Sequence, residues 1–232
     1  MSEAIEDYVK AIYAIQSRDG AAVTTTALAE RLGVTPGSAS GMIKKLAEIE
    51  LVVHVPYKGV TLSPPGEKLA LEVLRHHRLL EAFFTQVLEM PWDRIHAEAE
   101  VLEHYISEDL EQLIAGKLGD PVLDPHGDPI PDCALTMPKD DTSSLADLEP
   151  GEGGIFTRVS DRDPEILRYL AEQKIVPGVE LSVEDKQPFG GPLFVRVGGA
   201  QRVLGRALAR SIRIRRSRPA KRVAREAGEL VL

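Results

Sequence analysis

The sequence predicts a mainly α chain with small β parts, arranged as an N-terminal winged helix-turn-helix, a helical middle segment and a C-terminal SH3-like β-barrel. Two short helical patterns precede a hairpin pattern, long helical patterns follow, and short β runs with Gly and Pro close the chain. These observations divide the chain into residues 1–64, 65–131, a linker at 132–152, and 153–232.

Composition places the chain among ordinary folded proteins. Its 232 residues are 43% hydrophobic and 28% charged, which excludes disordered and collagen-like classes. No apolar stretch approaches the roughly 18 residues of a membrane span, and the acidic N-terminus does not resemble a signal peptide. The single Cys133 excludes a cysteine-rich zinc module. We therefore expect a cytoplasmic protein with no membrane partner.

The net charge of -8 is unevenly distributed. Residues 1–80 carry a charge of 0, residues 81–150 carry -14, and residues 151–232 carry +6. Seventeen acidic residues within 81–150 repel one another unless they are well solvated or bind cations. The distribution favours cation binding in the middle of the chain.

The first third has the order of elements of a winged helix. Apolar spacing predicts a helix over residues 3–16, a short helix from Thr25 or Thr26 to Leu32, and a second helix over 37–48 after a Gly-containing turn. Residues 51–62 then read as two β runs around a basic tip, Tyr57-Lys58-Gly59.

This order predicts binding to double-stranded DNA. Small hydroxyl residues near the start of the second helix suit phosphates and base edges, and lysines suit the backbone. Taken singly, each side chain would be ordinary surface, and the neutral net charge requires the positive potential to lie on one face. The candidate DNA-binding residues are Thr26, Thr35, Pro36, Gly37, Ser38, Ser40, Lys44, Lys45 and Lys58.

The middle third carries a metal-ligand pattern. A long helix is predicted over residues 65–89, with Glu81 four positions after His77 on the same face. A second long helix is predicted over residues 92–117, and one stripe of about two turns holds His96, Glu100, Glu103 and His104. A lone histidine would more often be structural, but six convergent imidazoles and carboxylates predict a divalent metal site.

Four segments together resemble a known family. They are Glu6-Asp7-Tyr8 through Ile12-Tyr13, Arg75-His76-His77-Arg78-Leu79-Leu80-Glu81, His96-Ala97-Glu98-Ala99-Glu100 leading into Glu103-His104-Tyr105-Ile106-Ser107-Glu108, and Asp124-Pro125-His126-Gly127-Asp128-Pro129-Ile130-Pro131. The chain is similar here to the metal-dependent transcriptional repressors that include the diphtheria toxin repressor, the iron-dependent regulator and the manganese transport regulators. The likeness covers the first 131 residues strongly and the remainder in outline.

The resemblance implies two metal sites per chain. The family's primary site falls on Asp7, Glu100, Glu103 and His104. Its ancillary site falls on His77, Glu81 and His96, completed in some members by residues that correspond here to Asp124, His126 and Asp161. His76 has no ligand counterpart and is interpreted as structural.

Two departures from the family bear on the choice of metal. The iron-responsive branch has Met and Cys where this chain has Asp7 and Glu100, and two carboxylates in their place favour Mn(II), with Fe(II) as the alternative. Manganese regulators tend to have a carboxylate where this chain has Lys10. Separated sites are therefore expected rather than a bridged two-metal cluster.

The last third predicts a small β domain. Residues 132–152 have linker composition, and one helix at 164–173 interrupts β runs at about 154–159, 179–184, 192–197, 201–204 and 209–215. This pattern is similar to the SH3-like domain of the family's longer members and of small iron-transport accessory proteins. A basic tail that contacts DNA phosphates or a partner subunit, or is simply solvated, comprises Arg213, Arg215, Arg216, Arg218, Lys221, Arg222 and Arg225.

The resemblance implies a homodimeric, Mn(II)-dependent repressor of metal-uptake genes that binds operator DNA, is not an enzyme and has no small-molecule substrate. An iron(II)-dependent repressor of the same architecture is the nearest alternative. A small-molecule-responsive winged-helix regulator would need an apolar pocket between the long helices. A metallohydrolase is disfavoured because the sequence has no His-Glu-x-x-His pattern.

Overall fold

The structure is a computed structural model that describes residues 2–159 and 163–217. Asp161 and the basic tail beyond residue 217 lie outside the described residues. The described residues form two compact units, one of residues 2–140 with 163–164, the other of 141–159 with 165–217. No helix in the described part of the chain is long and apolar enough to cross a membrane.

The first unit begins with a winged helix-turn-helix. It comprises α1 (Glu3–Asp19), α2 (Thr25–Leu32), α3 (Pro36–Glu48) and the antiparallel pair β1 (Val52–Val55) and β2 (Gly59–Leu62). The side chains of Thr24 and Thr35 cap α2 and α3 by accepting from backbone N–H groups. The core that packs these elements together includes Val9, Ile12, Leu28, Ile43 and Leu46.

Helix α4 (Pro64–Gln86) joins the winged helix to the helical segment. Ser63 caps it, and the buried Gly66 lies against the backbone of Leu51. A Cβ atom at position 66 would be 1.9 Å from the Leu51 carbonyl oxygen, so this close approach requires glycine.

The predicted single helix over residues 92–117 is wrong, because two helices occupy this region. They are α5 (Ile95–Leu102) and α6 (Glu108–Leu118), separated by a turn. Ser107 caps α6 by accepting from the Leu110 N–H at 3.3 Å, and the acidic residues that follow suit a helix N-terminus. The turn points His104 toward α1, so His104 does not share one helical stripe with His96.

The second unit contains a six-stranded antiparallel sheet with strand order β3-β8-β4-β5-β6-β7. In chain order its elements are β3 (Ser143–Ser144), a 3-10 helix (Leu145–Asp147), β4 (Gly153–Arg158), α7 (Pro164–Glu172), β5 (Glu180–Lys186), β6 (Leu193–Val197), β7 (Ala200–Leu204), α8 (Arg206–Ser211) and β8 (Arg213–Arg216). The predicted fold class is confirmed at the level of a winged helix, a helical segment and a small β domain.

Two local predictions in this unit differ from the structure. The β run predicted at 209–215 divides into α8 and β8, because Ala209 and Ile212 bury their side chains from a short helix and the residue that follows it. The predicted linker also contains structure in its second half, where β3 pairs with β8 and Leu145 is fully buried.

Candidate metal centre

Three groups of imidazole and carboxylate side chains lie in the first unit. We name them the junction triad (Asp7, Glu103, His104), the histidine triad (His77, His96, Glu100) and the buried triad (Glu81, Asp124, His126). Within each triad, the candidate ligand atoms lie within 4.8 Å of one another. Metal bonds of roughly 2 Å bring ligand atoms slightly closer than this, so small side-chain movements suffice to surround an ion.

The junction triad joins α1 to the turn after α5. His104 Nε2 lies 3.2 Å from Asp7 Oδ1 and 3.7 Å from Glu103 Oε1. The other ring nitrogen of His104 lies 2.6 Å from Glu6 Oε2, a contact that orients the imidazole toward the triad. Burial raises the pKa of Asp7, against the opposing effect of His104. Sequence reasoning placed Asp7 and His104 in one site but missed Glu6, because neither the helical spacing nor the resemblance indicated a partner for the second ring nitrogen of His104.

His77 connects the triads to one another. Its Nδ1 lies 2.5 Å from Glu103 Oε2, and its Nε2 lies 3.0 Å from Glu81 Oε1 and 3.1 Å from His96 Nδ1. Burial would lower the pKa of His77, but the charge of Glu81 and the hydrogen bonds to Glu103 and Glu81 raise it to about 9. Any ion bound by His77 therefore competes with a proton.

Lys10 extends from α1 into the same acidic group. Its ammonium donates to Glu100 Oε1 at 2.6 Å and to the two oxygens of Glu103 at 2.6 and 2.8 Å. Burial would lower the pKa of Lys10, but the charges of Glu103 and Glu100 raise it. In return, Lys10 and His77 hold the pKa of Glu100 below its usual value against the effect of burial.

The buried triad places two carboxylates in a dry environment. Within the described residues, Glu81 Oε2 and Asp124 Oδ2 have no hydrogen-bond partner, but His126 Nδ1 lies 3.6 Å from Glu81 Oε2 and Arg78 Nε lies 3.7 Å from Asp124 Oδ2. The other oxygen of Asp124 accepts from the N–H groups of His126 at 2.9 Å and Asp128 at 2.8 Å. Burial raises the pKa of Asp124 well above its usual range, with a further contribution from Asp128 and Glu81. Two buried carboxylate oxygens that face one imidazole fit the donor set of a divalent ion.

Two residues outside the triads support them. His76 is buried, with Nδ1 at 3.1 Å from the Glu103 carbonyl oxygen and Nε2 at 3.0 Å from Glu111 Oε2. It therefore links α4 to the turn that carries the junction triad. Trp92, which sequence reasoning missed, stacks on His126 and contacts its Nε2 through a backbone oxygen at 2.9 Å.

The candidate DNA-binding residues are all exposed on the winged helix. The hydroxyls of Thr35 and Ser38 lie 3.0 Å apart, and Thr35 also accepts from the Ser38 N–H, so both take part in the cap of α3. Tyr57 is fully exposed at the hairpin tip beside Lys58. In the sequence, only its place in the tip indicated that it would be exposed.

An apolar groove runs along α4 and α6. It holds a cavity of about 440 Å³, and the exposed side chains in its lining include Tyr105, Leu110 and Leu113. The residues that line the cavity are Leu80, Phe83, Phe84, Leu102, Tyr105, Ile106, Leu110, Leu113, Ile114 and Lys117. We call this surface the apolar groove.

The side chains expected at the two metal sites lie together in the first unit. Glu100 groups with His77 and His96, its charge also acts on Asp7, and Lys10 links its carboxylate to that of Glu103. The expected ancillary residues divide between the histidine triad and the buried triad.

Comparison with known proteins matches almost the whole chain in three parts. Residues 1–60 match the iron dependent repressor N-terminal DNA binding domain, residues 63–132 match the iron dependent repressor metal binding and dimerisation domain, and residues 143–216 match the FeoA domain.

Individual relatives bear the names of iron and manganese regulators. The chain is 28% identical over 221 residues to the iron-dependent repressor IdeR of Mycobacterium tuberculosis (strain ATCC 25618 / H37Rv), covering 90% of this chain and 95% of that protein. It is 35% identical over 103 residues to the HTH-type transcriptional regulator MntR of Lysinibacillus sphaericus (strain C3-41), covering 44% of this chain and 73% of that protein. A solved structure of a manganese-dependent transcriptional repressor in complex with manganese is 41% identical, with a TM-score of 0.86, and the match covers 90% of this chain and 98% of that one.

Proposed function

The chain belongs to the family of metal-dependent transcriptional repressors that includes the diphtheria toxin repressor and the manganese regulators, and on this premise we propose that it is a Mn(II)-activated repressor of metal-uptake genes. The observation that carries the proposal is the junction triad. Asp7 comes from α1 of the winged helix, whereas Glu103 and His104 follow α5 of the helical segment.

A divalent ion supplies the positive charge that lets these carboxylates share one site. The side chains of the protein position α1 and the His104 ring. Asp7 ties α1 to the turn after α5, and Glu6 holds the His104 ring toward the triad. Because α1 shares a core with α2 and α3, fixing α1 fixes the recognition helix α3. Metal binding then shifts the population toward the DNA-competent arrangement, and DNA must tighten metal binding in return.

Mn(II) is favoured by the chemistry of the ligands. All three triads consist of oxygen and nitrogen donors, and Asp7 and Glu100 contribute hard carboxylate oxygens. The solved relative that is 41% identical is named for manganese, and the relative that is 28% identical is named for iron. Fe(II) is therefore the alternative activating ion.

A second ion is proposed at the buried triad. Glu81 Oε2 and Asp124 Oδ2 lie buried without hydrogen-bond partners in the described part of the chain, beside His126. His77 and His96 contact Glu81 from the other side. Glu81 belongs to α4, and Asp124 and His126 follow α6, so we propose that this site stabilises the helical segment rather than orienting the winged helix.

The apolar groove is the proposed contact with a second copy of the chain. It lies in the part of the chain that matches a dimerisation domain, and it exposes Tyr105 and Leu113. A two-fold dimer presents two α3 helices to DNA, and such dimers read half-sites about one helical turn apart. The expected partner is therefore near-palindromic operator DNA.

The test measures DNA binding across a metal series. A duplex is first selected from a random pool by the Mn(II)-loaded protein, and its affinity is then measured with Mn(II), anaerobic Fe(II), Zn(II) and a chelator. We expect Mn(II) to increase the affinity by about 10-fold to 100-fold over the chelated protein. Asp7→Ala should abolish most of this increase, whereas Asp19→Ala, at an exposed carboxylate on the same helix, should leave it unchanged.

Each departure from this result favours another function. Equal DNA affinity with and without metal would contradict metal activation. Stronger activation by Fe(II) than by Mn(II) would assign the protein to the iron-dependent alternative. The cavity of the apolar groove also suits a small-molecule-responsive regulator, which would bind DNA regardless of the chelator.

A further inference from the structure

Lys10 holds one carboxylate from each of two neighbouring triads. An ammonium group has three donors, and those of Lys10 match its contacts with one oxygen of Glu100 and both oxygens of Glu103. Glu103 belongs to the junction triad and Glu100 to the histidine triad. The lysine therefore lies between two candidate ion sites and is hydrogen-bonded to one candidate ligand of each.

This ion pair is enclosed by the protein. The Lys10 side chain is 14% exposed and that of Glu103 is 0% exposed. A buried carboxylate is costly unless a cation accompanies it. Lys10 supplies that cation from the chain itself, at the place where a metal ion would also supply it.

We propose that Lys10 is a tethered competitor of the metal ion at the junction triad. The inference rests on the proposed function, because it takes this triad to be a metal site. An ion that binds Glu103 must displace at least one hydrogen bond of Lys10, and it meets the positive charge of the ammonium at close range. Both effects weaken metal binding. Lys10 thereby sets the ion concentration at which the protein responds.

The competitor also changes which residue of α1 contacts the turn after α5. In the structure, Lys10 ties α1 to Glu100 and Glu103. An ion held by the junction triad would make this connection through Asp7 instead, almost one helical turn earlier in α1. Two cations thus exchange at one junction between the winged helix and the helical segment.

The test compares Mn(II) binding of four proteins without DNA. The unbound Mn(II) is followed by electron paramagnetic resonance for the wild type, Lys10→Met, Lys10→Arg and Lys68→Met. Lys10→Met keeps an unbranched, helix-favouring side chain and removes the charge, so we expect about tenfold tighter binding. Lys10→Arg keeps the charge and should therefore bind Mn(II) more weakly than Lys10→Met. Lys68 is an exposed lysine on α4, and its substitution should have no effect.

Two further measurements locate the effect. The gain from Lys10→Met should disappear in combination with Asp7→Ala if the competition takes place at the junction triad. The increase in Tm on adding Mn(II) should be larger for Lys10→Met than for the wild type, because the ion-free variant has lost the partner of buried Glu103. If Lys10→Met does not fold without metal, Lys10→Gln replaces it in both measurements.

The outcomes separate this inference from the repressor function. Wild-type affinity or weaker binding by Lys10→Met, with the wild type binding Mn(II), would overturn the competitor and leave the repressor intact. Tighter binding by Lys10→Met in a protein that selects no duplex would support the competitor and contradict the repressor. If neither the wild type nor Lys10→Met binds Mn(II), both proposals fail.

Discussion

At the scale of single residues, the main feature of the first unit is a set of carboxylates that are buried away from water. Asp124 illustrates the arrangement, because one of its oxygens closes a turn while the other is buried 3.7 Å from Arg78 Nε, in the same triad as Glu81. The turn can be read from the sequence, since Asp and Gly are typical turn residues. The role of the buried oxygen depends on how the turn packs against α4, and the local sequence does not determine that packing.

Asp124→Asn separates these two roles. The amide oxygen can still accept from the N–H groups of His126 and Asp128, but the substitution removes the ion pair between Asp124 Oδ2 and Arg78. The folded-state pKa of Asp124 is raised, so its ionisation costs stability as pH rises through that pKa, and the substitution removes this cost. Near neutral pH with a chelator, this gain and the lost ion pair with Arg78 oppose each other, so we expect a free energy of unfolding within about 1 kcal/mol of the wild type. The stabilisation by Mn(II) should fall, as measured by thermal unfolding with and without the ion.

Asp132 offers a matched control for this substitution. Its side-chain oxygen accepts from the N–H groups two and four residues later, as that of Asp124 does, but the residue is exposed. Asp132→Asn should leave the stabilisation by Mn(II) unchanged. If Asp124→Asn lowers the stability of the ion-free protein and preserves the effect of Mn(II), the buried triad is a structural cluster and not an ion site.

At the scale of helices and strands, the sequence predicts those elements whose ends carry their own signals. Thr24 and Thr35 cap α2 and α3, and Gly33 ends α2 in the left-handed conformation, so both helices were predicted nearly to the residue. The hairpin was found in the same way from Tyr57-Lys58-Gly59. The order of these elements was sufficient to predict a winged helix.

The elements that were predicted wrongly depend on contacts between distant residues. Residues 92–117 have a continuous helical pattern, but the helix ends at Leu102. In the turn that follows, the Tyr105 hydroxyl donates to Glu3 and His104 contacts Glu6. Ser107, which caps α6, was the local sequence signal that a second helix begins here. The end of α5 separates His104, which contacts Glu6 and Asp7, from His96 and Glu100, which stay on α5, so helical spacing alone did not predict this separation.

Gly66 shows how closely α4 approaches the winged helix. A Cβ atom there would be 1.9 Å from the Leu51 carbonyl oxygen, which belongs to the backbone and cannot rotate away. Gly66→Ala should therefore separate α4 from β1 and lower the free energy of unfolding by more than about 2 kcal/mol. Chemical denaturation of the ion-free protein measures this loss.

Gly116 is the opposite case on α6. Nothing lies within 4 Å of a Cβ atom at this exposed position, so Gly116→Ala should raise the stability by up to about 1 kcal/mol through helix propensity. A similar small gain for Gly66→Ala would show that α4 does not need this close approach.

At the scale of the whole molecule, the acidic charge and the apolar surface belong to different functions. Part of the negative charge in residues 81–150 lies in the three triads, and part lies in the first turn of α6. The apolar groove lies along α4 and α6 within the same part of the chain. A monomer rarely exposes several large apolar side chains together, so this surface is the proposed dimer contact.

Leu113→Glu tests whether the apolar groove joins two copies. Leu113 is 71% exposed on α6, so a charge there is tolerated by the monomer but not by an apolar interface. We expect the dimer dissociation constant to rise by about 100-fold or more, from the lost burial of the leucine and the cost of a buried charge. Sedimentation velocity should show monomers, operator affinity should fall, and Mn(II) should still bind, because the three triads lie outside the groove lining.

The matched control is Val203→Glu, at an exposed apolar residue on β7 of the second unit. It should sediment as a dimer like the wild type, since it lies outside the helical segment. A Leu113→Glu protein that stays dimeric would place the contact on another surface. Dissociation of both variants would instead show that the second unit takes part in dimer formation, and the spacing of the two α3 helices would then depend on the β domain as well as on the groove.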